Sequence, residues 1–217
     1  MGYRVTSIDA ARSAVLVIDM QNDFVAEGAP LEFADGRRIV PAIQSVIDAG
    51  RKRGMPIIYT AHVHRRGGTD LGLHGDLYPP VGAGQALVDG ETGADIYPEL
   101  APQGDELVVK KHRYSAFYGT DLDVILRGYG IDTLLVTGMT TECCVLSTVR
   151  GALELGYKTL VVADACASCD YPDLGYGGMS SQEMHNSALR IMALTSSDVA
   201  DLADVLGRFE AKALVAS

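Results

Sequence analysis

Two neighbouring thiols, Cys143 and Cys144, stand in the stretch TGMTTECCVLSTVR (137–150), where an apolar β-branched run gives way to a helical pattern. A cysteine there can act as a nucleophile, because the unpaired N–H groups and dipole of a helix start favour a thiolate. If Thr140 or Thr141 caps the helix, both cysteines fall in its first turn. A helical wheel separates them. Cys143 shares a stripe with Ser147, Arg150 and Glu154, whereas Cys144 aligns with Thr148, Gly151 and Leu155, which suit packing against a sheet. The wheel favours Cys144 as the inward thiol and leaves Cys143 open. A nucleophile also needs a base and a charge partner, and three other apolar runs end in candidates: Asp19 in DMQNDF, His62 and His64 in HVH, and Lys110 and Lys111 in KKH. Each has a plainer alternative: small buried cysteines, a strand-end turn aspartate, solvated surface lysines.

The elements that must position these residues follow from alternation of short apolar runs with helical stretches. Strands are expected at 14–19, 56–62, 106–110, 133–138 and 159–164, with a weaker sixth at 192–195. Helices are expected at 39–53, 121–129, 141–155, 181–191 and 198–206. The strand runs are continuously apolar, as in strands buried on both faces. The β–α order therefore implies an α/β fold: a Rossmann-like three-layer sandwich with a six-stranded, mostly parallel sheet and helices on both faces. Such sheets gather ligands beyond the carboxyl ends of their strands, and an acid, a lysine and a thiol all end strands here. The Gly-, Pro- and Asp-rich segment 65–103 breaks the rhythm. A connection this long is expected to be a lid, a partner-contacting arm or disordered.

At 217 residues and 47% hydrophobic, the chain suits one domain, 1–217. Its 18 basic against 28 acidic residues give a formal charge of −10, which argues against nucleic acid and anionic membranes and for a small-molecule ligand. No apolar run approaches the ~20 residues that span a bilayer, and the first residues lack the pattern of a secretory signal. Four cysteines, two of them adjacent, make a poor disulfide framework, so reduced thiols and a cytoplasmic location are expected.

DMQNDF, KKHRYSAFYGTDLD and TGMTTECCVLSTVR, in that order, resemble the isochorismatase-like cysteine hydrolases, and the likeness runs from about Ala14 to Asp198. The resemblance implies an Asp–Lys–Cys triad of Asp19, Lys111 and Cys144. Lys111 is preferred because it stands two residues before the Arg113–Phe117 run, and Cys144 because Val follows it. It also implies a cis peptide between Met139 and Thr140, an oxyanion hole from the N–H groups of Thr140 and Cys144, and a homo-oligomer, dimer or tetramer. Isochorismatases proper lack the cysteine, which points to an amidase. Within the family the chain looks most like the ureido-type amidohydrolases (ureidoacrylate, biuret and triuret hydrolases, N-carbamoylsarcosine amidohydrolase). That likeness implies pocket contacts from Phe24 and Tyr114. His62 and His64, two apart on an extended segment, can point the same way and bond substrate. Nicotinamidases resemble metal proteins, but two imidazoles make a thin zinc site, so neither a metal nor another cofactor is expected. Gln182 and His185 could reach the same edge or lie on the surface. Two rival readings stand beside this one: a thiol-redox or metal role for Cys166 and Cys169, and a non-catalytic relative acting as a binding subunit.

Overall fold

The computed structural model describes residues 3–210; residues 1, 2 and 211–217 of the expected domain lie outside the described residues. Six strands, β1 (Ser13–Ile18), β2 (Ile57–His62), β3 (Leu107–Lys111), β4 (Thr133–Met139), β5 (Lys158–Ala167) and β6 (Asp198–Ala200), pair in parallel in the order β3-β2-β1-β4-β5-β6. The chain winds outward from β1 to β3, returns to the centre at β4 and winds outward the other way. The neighbours β1 and β4 therefore flank the switch point where such sheets bind ligands. Alternate residues of β1 feed two cores. Val15 and Val17 pack toward α2 (Ala34–Arg51), and Ala14, Leu16 and Ile18 pack toward α5 (Leu122–Gly128) and α6 (Leu146–Glu154). Every residue of β1, β2 and β4 is buried, as a sheet covered on both faces requires.

Five of the six expected strands are present. The sixth is not where the pattern placed it: residues 192–195 belong to α7 (Ser181–Thr195), and the strand is the three-residue β6 after it. Met192 is buried because it packs the inner face of a helix, not because it lies in a strand. The helix expected at 198–206 correspondingly begins only at α8 (Leu202–Arg208), where the Asp201 side chain accepts the Asp204 N–H. Helix α2 starts earlier than expected. Pro41 within it reads as a breaker, although a buried stripe of Ile39, Ile43, Val46 and Ile47 carries the helix past it.

Segment 65–103 is folded over the sheet edge as two short helices, α3 (His74–Leu77) and α4 (Pro79–Gly82), and two 3₁₀ turns at Thr92–Ala94 and Pro98–Leu100. The DMQNDF motif pins it. Buried Gln21 donates to the carbonyls of His62 (3.0 Å) and Ala94 (2.9 Å) and accepts the His62 N–H at 2.8 Å. Asp23, in α1 (Asn22–Val25), accepts the Leu87 N–H at 2.6 Å.

One glycine sets how closely the central strands approach. Gly138 has φ +110° and pairs with Ile18, whose backbone a Cβ at 138 would overlap. Gly138→Ala should therefore destabilise the fold by roughly 3 kcal/mol or more. A urea unfolding midpoint unchanged from the parent chain would contradict this.

Candidate active site

Strands β1 to β4, from the sheet edge at β3 to its centre, each deliver a group to the same rim. Asp19 follows β1 with φ +52°, a left-handed conformation uncommon for a side chain bearing a Cβ. Thr60 of β2 holds it, donating its hydroxyl to Asp19 Oδ1 at 2.6 Å. Lys110 and Lys111 end β3 and point opposite ways, as successive strand residues must. Lys110 reaches outward to Asp89 at 2.7 Å, and Lys111 is fully buried. The Lys111 ammonium lies 2.7 Å from Asp19 Oδ2 and donates to Cys144 Sγ at 3.3 Å and to the Arg113 carbonyl at 2.9 Å. Asp19 Oδ2 is held by the ammonium alone at that distance, on the side of the carboxylate away from Thr60. An acceptor lone pair thus remains close to the sulfur. Atoms of Asp19, His62 and Cys144 fall within 4.8 Å of one another.

After β4 the Met139–Thr140 peptide is cis, and Thr141–Val145 winds as a π-helical turn before α6 begins. The wider i→i+5 turn shifts the helical phase. This corrects the wheel in two ways. Leu155 is exposed rather than inward, and Cys143 does not face solvent but lines the same cavity as Cys144, with its sulfur 3.6 Å from Tyr171 Oη. Thr148 and Gly151 do face inward. They receive the Arg113–Phe117 run: Thr148 Oγ1 accepts the Ala116 N–H at 3.0 Å, and a Cβ at Gly151 would press on Ser115.

Electrostatics revise the expected thiolate. Burial pushes the Cys144 thiol well above its usual range, and the opposing pull of Lys111 does not overcome it. Burial acts to lower the Lys111 ammonium as well, but Asp19 and Cys144 outweigh it and hold its pKa above the ordinary value. Burial therefore works against a thiolate at Cys144 before a ligand arrives. Helix-end polarity is too weak to ionise a sulfur so fully removed from water.

The cavity above this cluster measures about 690 Å³. Phe24, His62, His64, Tyr114, Thr140, Cys143 and Cys144 all line it, as does Cys169, whereas Cys166 lies within β5 and is buried in the core. Gln182 is exposed, and His185 bonds Thr141 Oγ1 at 2.8 Å outside the cavity. Three contributors escape a sequence reading. His74 and Tyr78 come from the irregular segment; the Tyr78 hydroxyl pairs with that of Tyr114 at 2.9 Å. Glu142 faces the cavity from the π turn. Nothing periodic marks them, although the histidine count around residue 70 is a usable signal.

The expectation of no metal rested on two imidazoles. Folding gathers four: the ring centroids of His62, His64 and His74 lie 5.1–6.0 Å apart, and His112 lies 6.2 Å from His64. His62 Nε2, His74 Nε2 and both nitrogens of His64 are buried without a hydrogen-bond partner. Burial, then Lys111, keeps His62 well below its usual pKa, and burial takes His64 to about 4 against the pull of Asp70. The ligand atoms that come within 4.8 Å of one another among the described residues are those of Asp19, His62 and Cys144 and those of His64, Asp70 and His112, not those of His62, His64 and His74 together, so the unpartnered imidazoles of that trio fit the polar groups of a ligand better than one shared cation.

Comparison with known proteins follows this geometry. The isochorismatase domain family matches residues 13–204. A cysteine hydrolase from Pseudomonas syringae pv. phaseolicola superposes with a TM-score of 0.92 at 35% identity, covering 97% of each chain. A protein of Arabidopsis thaliana named as a probable inactive nicotinamidase is 35% identical over 72% of this chain and 81% of its own. N-carbamoylsarcosine amidase of an Arthrobacter species is 35% identical over 69% of this chain, a match spanning 57% of that enzyme. The chain belongs to the isochorismatase family of hydrolases. Among the described residues no helix is long and apolar enough to cross a membrane.

Proposed function

We propose that the chain is a cysteine-dependent amidohydrolase that cleaves a C–N bond of a small linear amide of ureido or carbamoyl type through a thioester. The observation that carries this reading is the buried ammonium of Lys111, 2.7 Å from Asp19 Oδ2 and 3.3 Å from Cys144 Sγ at the floor of the cavity. Asp19 Oδ2, held by the ammonium alone, takes the thiol proton as the sulfur attacks the carbonyl carbon. Lys111 remains charged throughout and balances whichever of Asp19 and Cys144 carries the negative charge. The N–H groups of Thr140 and Cys144 receive the developing oxyanion; one such donor is worth about 10²–10³ in rate. Asp19 then returns its proton to the departing nitrogen and activates the water that cleaves the thioester, a role worth roughly 10²–10⁴-fold. His62, His64, Tyr114 and Phe24 shape the substrate site. The likeness to N-carbamoylsarcosine amidase supports the ureido class. Ammonia release from biuret, triuret, ureidoacrylate, N-carbamoyl amino acids and nicotinamide tests the reading; turnover of nicotinamide alone would contradict it.

The convergence of His64, Asp70 and His112, whose ligand atoms lie within 4.8 Å of one another, supports a second reading, a nicotinamidase-like amidase holding a divalent cation there. Such an ion would act as a Lewis acid or as an anchor for a donor atom of the substrate. Metal analysis separates the two. The ureido reading expects less than stoichiometric metal and full activity after chelation. One metal per chain, lost together with activity in His112→Ala, would favour the second.

A further inference from the structure

The cavity wall carries three carboxylates, Glu32, Glu142 and Asp170, and no lysine or arginine lines it among the described residues. Arg37 answers Glu32 at 2.5 Å, while Asp170 accepts only the neutral Ser181 N–H at 2.7 Å. Glu142 likewise faces no cation. Its oxygens accept only from neutral hydroxyls, Ser168 at 2.5 Å and Tyr171 at 3.0 Å, and no basic side chain pairs with it among the described residues. It shares the π turn with Cys144, two residues away. Lys111 cannot supply the missing countercharge, because its buried ammonium already faces Asp19, Cys144 and the Arg113 carbonyl. The imidazoles donate to a carbonyl or a carboxylate alike and do not discriminate.

A ligand bringing a carboxylate to Cys144 would stand near a like charge in a partly dry wall, where repulsion is stronger than in water. An amino, amide or ammonium group would instead meet an acceptor with lone pairs to spare. We propose that Glu142 is a specificity-determining residue, admitting neutral or cationic amides to Cys144 and turning away those with a carboxylate close to the scissile bond. The proposal rests on the amidase reading and narrows its substrates: biuret and triuret pass, and the ureido acids, ureidoacrylate and N-carbamoyl amino acids, do not. Phe24, Leu31, Phe33 and Leu87 line the cavity, and exposed Leu77 and Leu174 also border it, so an apolar substituent has room.

Alkylation tests this without turnover. Iodoacetamide and iodoacetate differ in one charged group, and each transfers its carbon to sulfur with loss of iodide. Rates at Cys144, followed by peptide mass spectrometry, are divided by those of free glutathione under the same conditions. The normalised rate with iodoacetate should be at least about tenfold below that with iodoacetamide, about 1.4 kcal/mol of discrimination. Glu142→Gln should bring the two within about threefold of each other. Equal normalised rates in the parent protein overturn the proposal, as does an undiminished preference in a folded Glu142→Gln variant. A matched pair of N-alkyl ureas, one ending in a carboxylate and one in its primary amide, then gives the substrate arm. Preference for the amide supports the proposal and preference for the carboxylate overturns it. If neither is hydrolysed the amidase reading fails, while the alkylation ratio still decides the role of Glu142.

Discussion

Cys144→Ser lowers kcat/KM by about 10³-fold or more, while Cys143→Ser stays within about threefold of the parent chain. The two thiols are adjacent and line the same cavity, so exposure does not separate them. Their partners do. Cys144 receives the Lys111 ammonium at 3.3 Å and lies within proton-transfer surroundings of Asp19, whereas Cys143 meets the Tyr171 hydroxyl at 3.6 Å and has no base assigned to it. A serine in place of Cys144 keeps the shape but presents a hydroxyl much harder to ionise, in a site where burial already opposes charge. Initial-rate ammonia assays on both variants measure the contrast. Comparable losses in the two would mean that the cysteines act together, and loss only at Cys143 would reverse the assignment.

The second large effect concerns stability and activity at once. Lys111→Met leaves the Asp19 carboxylate buried without its countercharge, which should destabilise the protein by about 3–5 kcal/mol and abolish turnover. Asp19→Asn combined with Lys111→Met removes both charges from the same dry site. That double variant should regain most of the lost stability, because replacing a buried ion pair by neutral groups of similar size is often neutral or favourable. It should remain inactive. Urea unfolding with parallel activity assays reads both outcomes. Recovery of activity in the double variant would show that the pair is structural only, and a double variant as unstable as the single one would contradict the electrostatic account.

Much of this arrangement can be read from the chain, for identifiable reasons. Four strands announce themselves because a parallel sheet covered on both faces needs uninterrupted apolar runs, the edge strand β3 does so by its short apolar run although it is largely exposed, and Asp19, Lys111 and Cys144 stand at or just beyond strand ends where such a sheet leaves its ligand cleft. The sixth strand is hidden because β6 is three residues long at a sheet edge, with nothing to distinguish it from the apolar face of α7 beside it. The π-helical turn is hidden because one inserted residue leaves no compositional trace, yet it brings Cys143 and Glu142 to the cavity and invalidates a regular wheel. His74 escapes because its approach to His62 and His64 depends on the path of an irregular segment, tied down by single hydrogen bonds such as that from Leu87 N–H to Asp23. Protonation is the subtlest gap. A helix start beside a lysine suggests a thiolate, and only the burial of the sulfur shows the opposing pressure toward the neutral thiol.

The most direct measurement is acid-quench mass spectrometry during turnover of an activated carbamoyl or acyl amide. A sulfur acylated in the first step should appear as a mass increase equal to the acyl group, placed on Cys144 by the fragment ions of the peptide that carries both cysteines and absent from the Cys144→Ala variant. An adduct on Cys143, or undiminished hydrolysis by Cys144→Ala with no adduct anywhere, would contradict the central assignment.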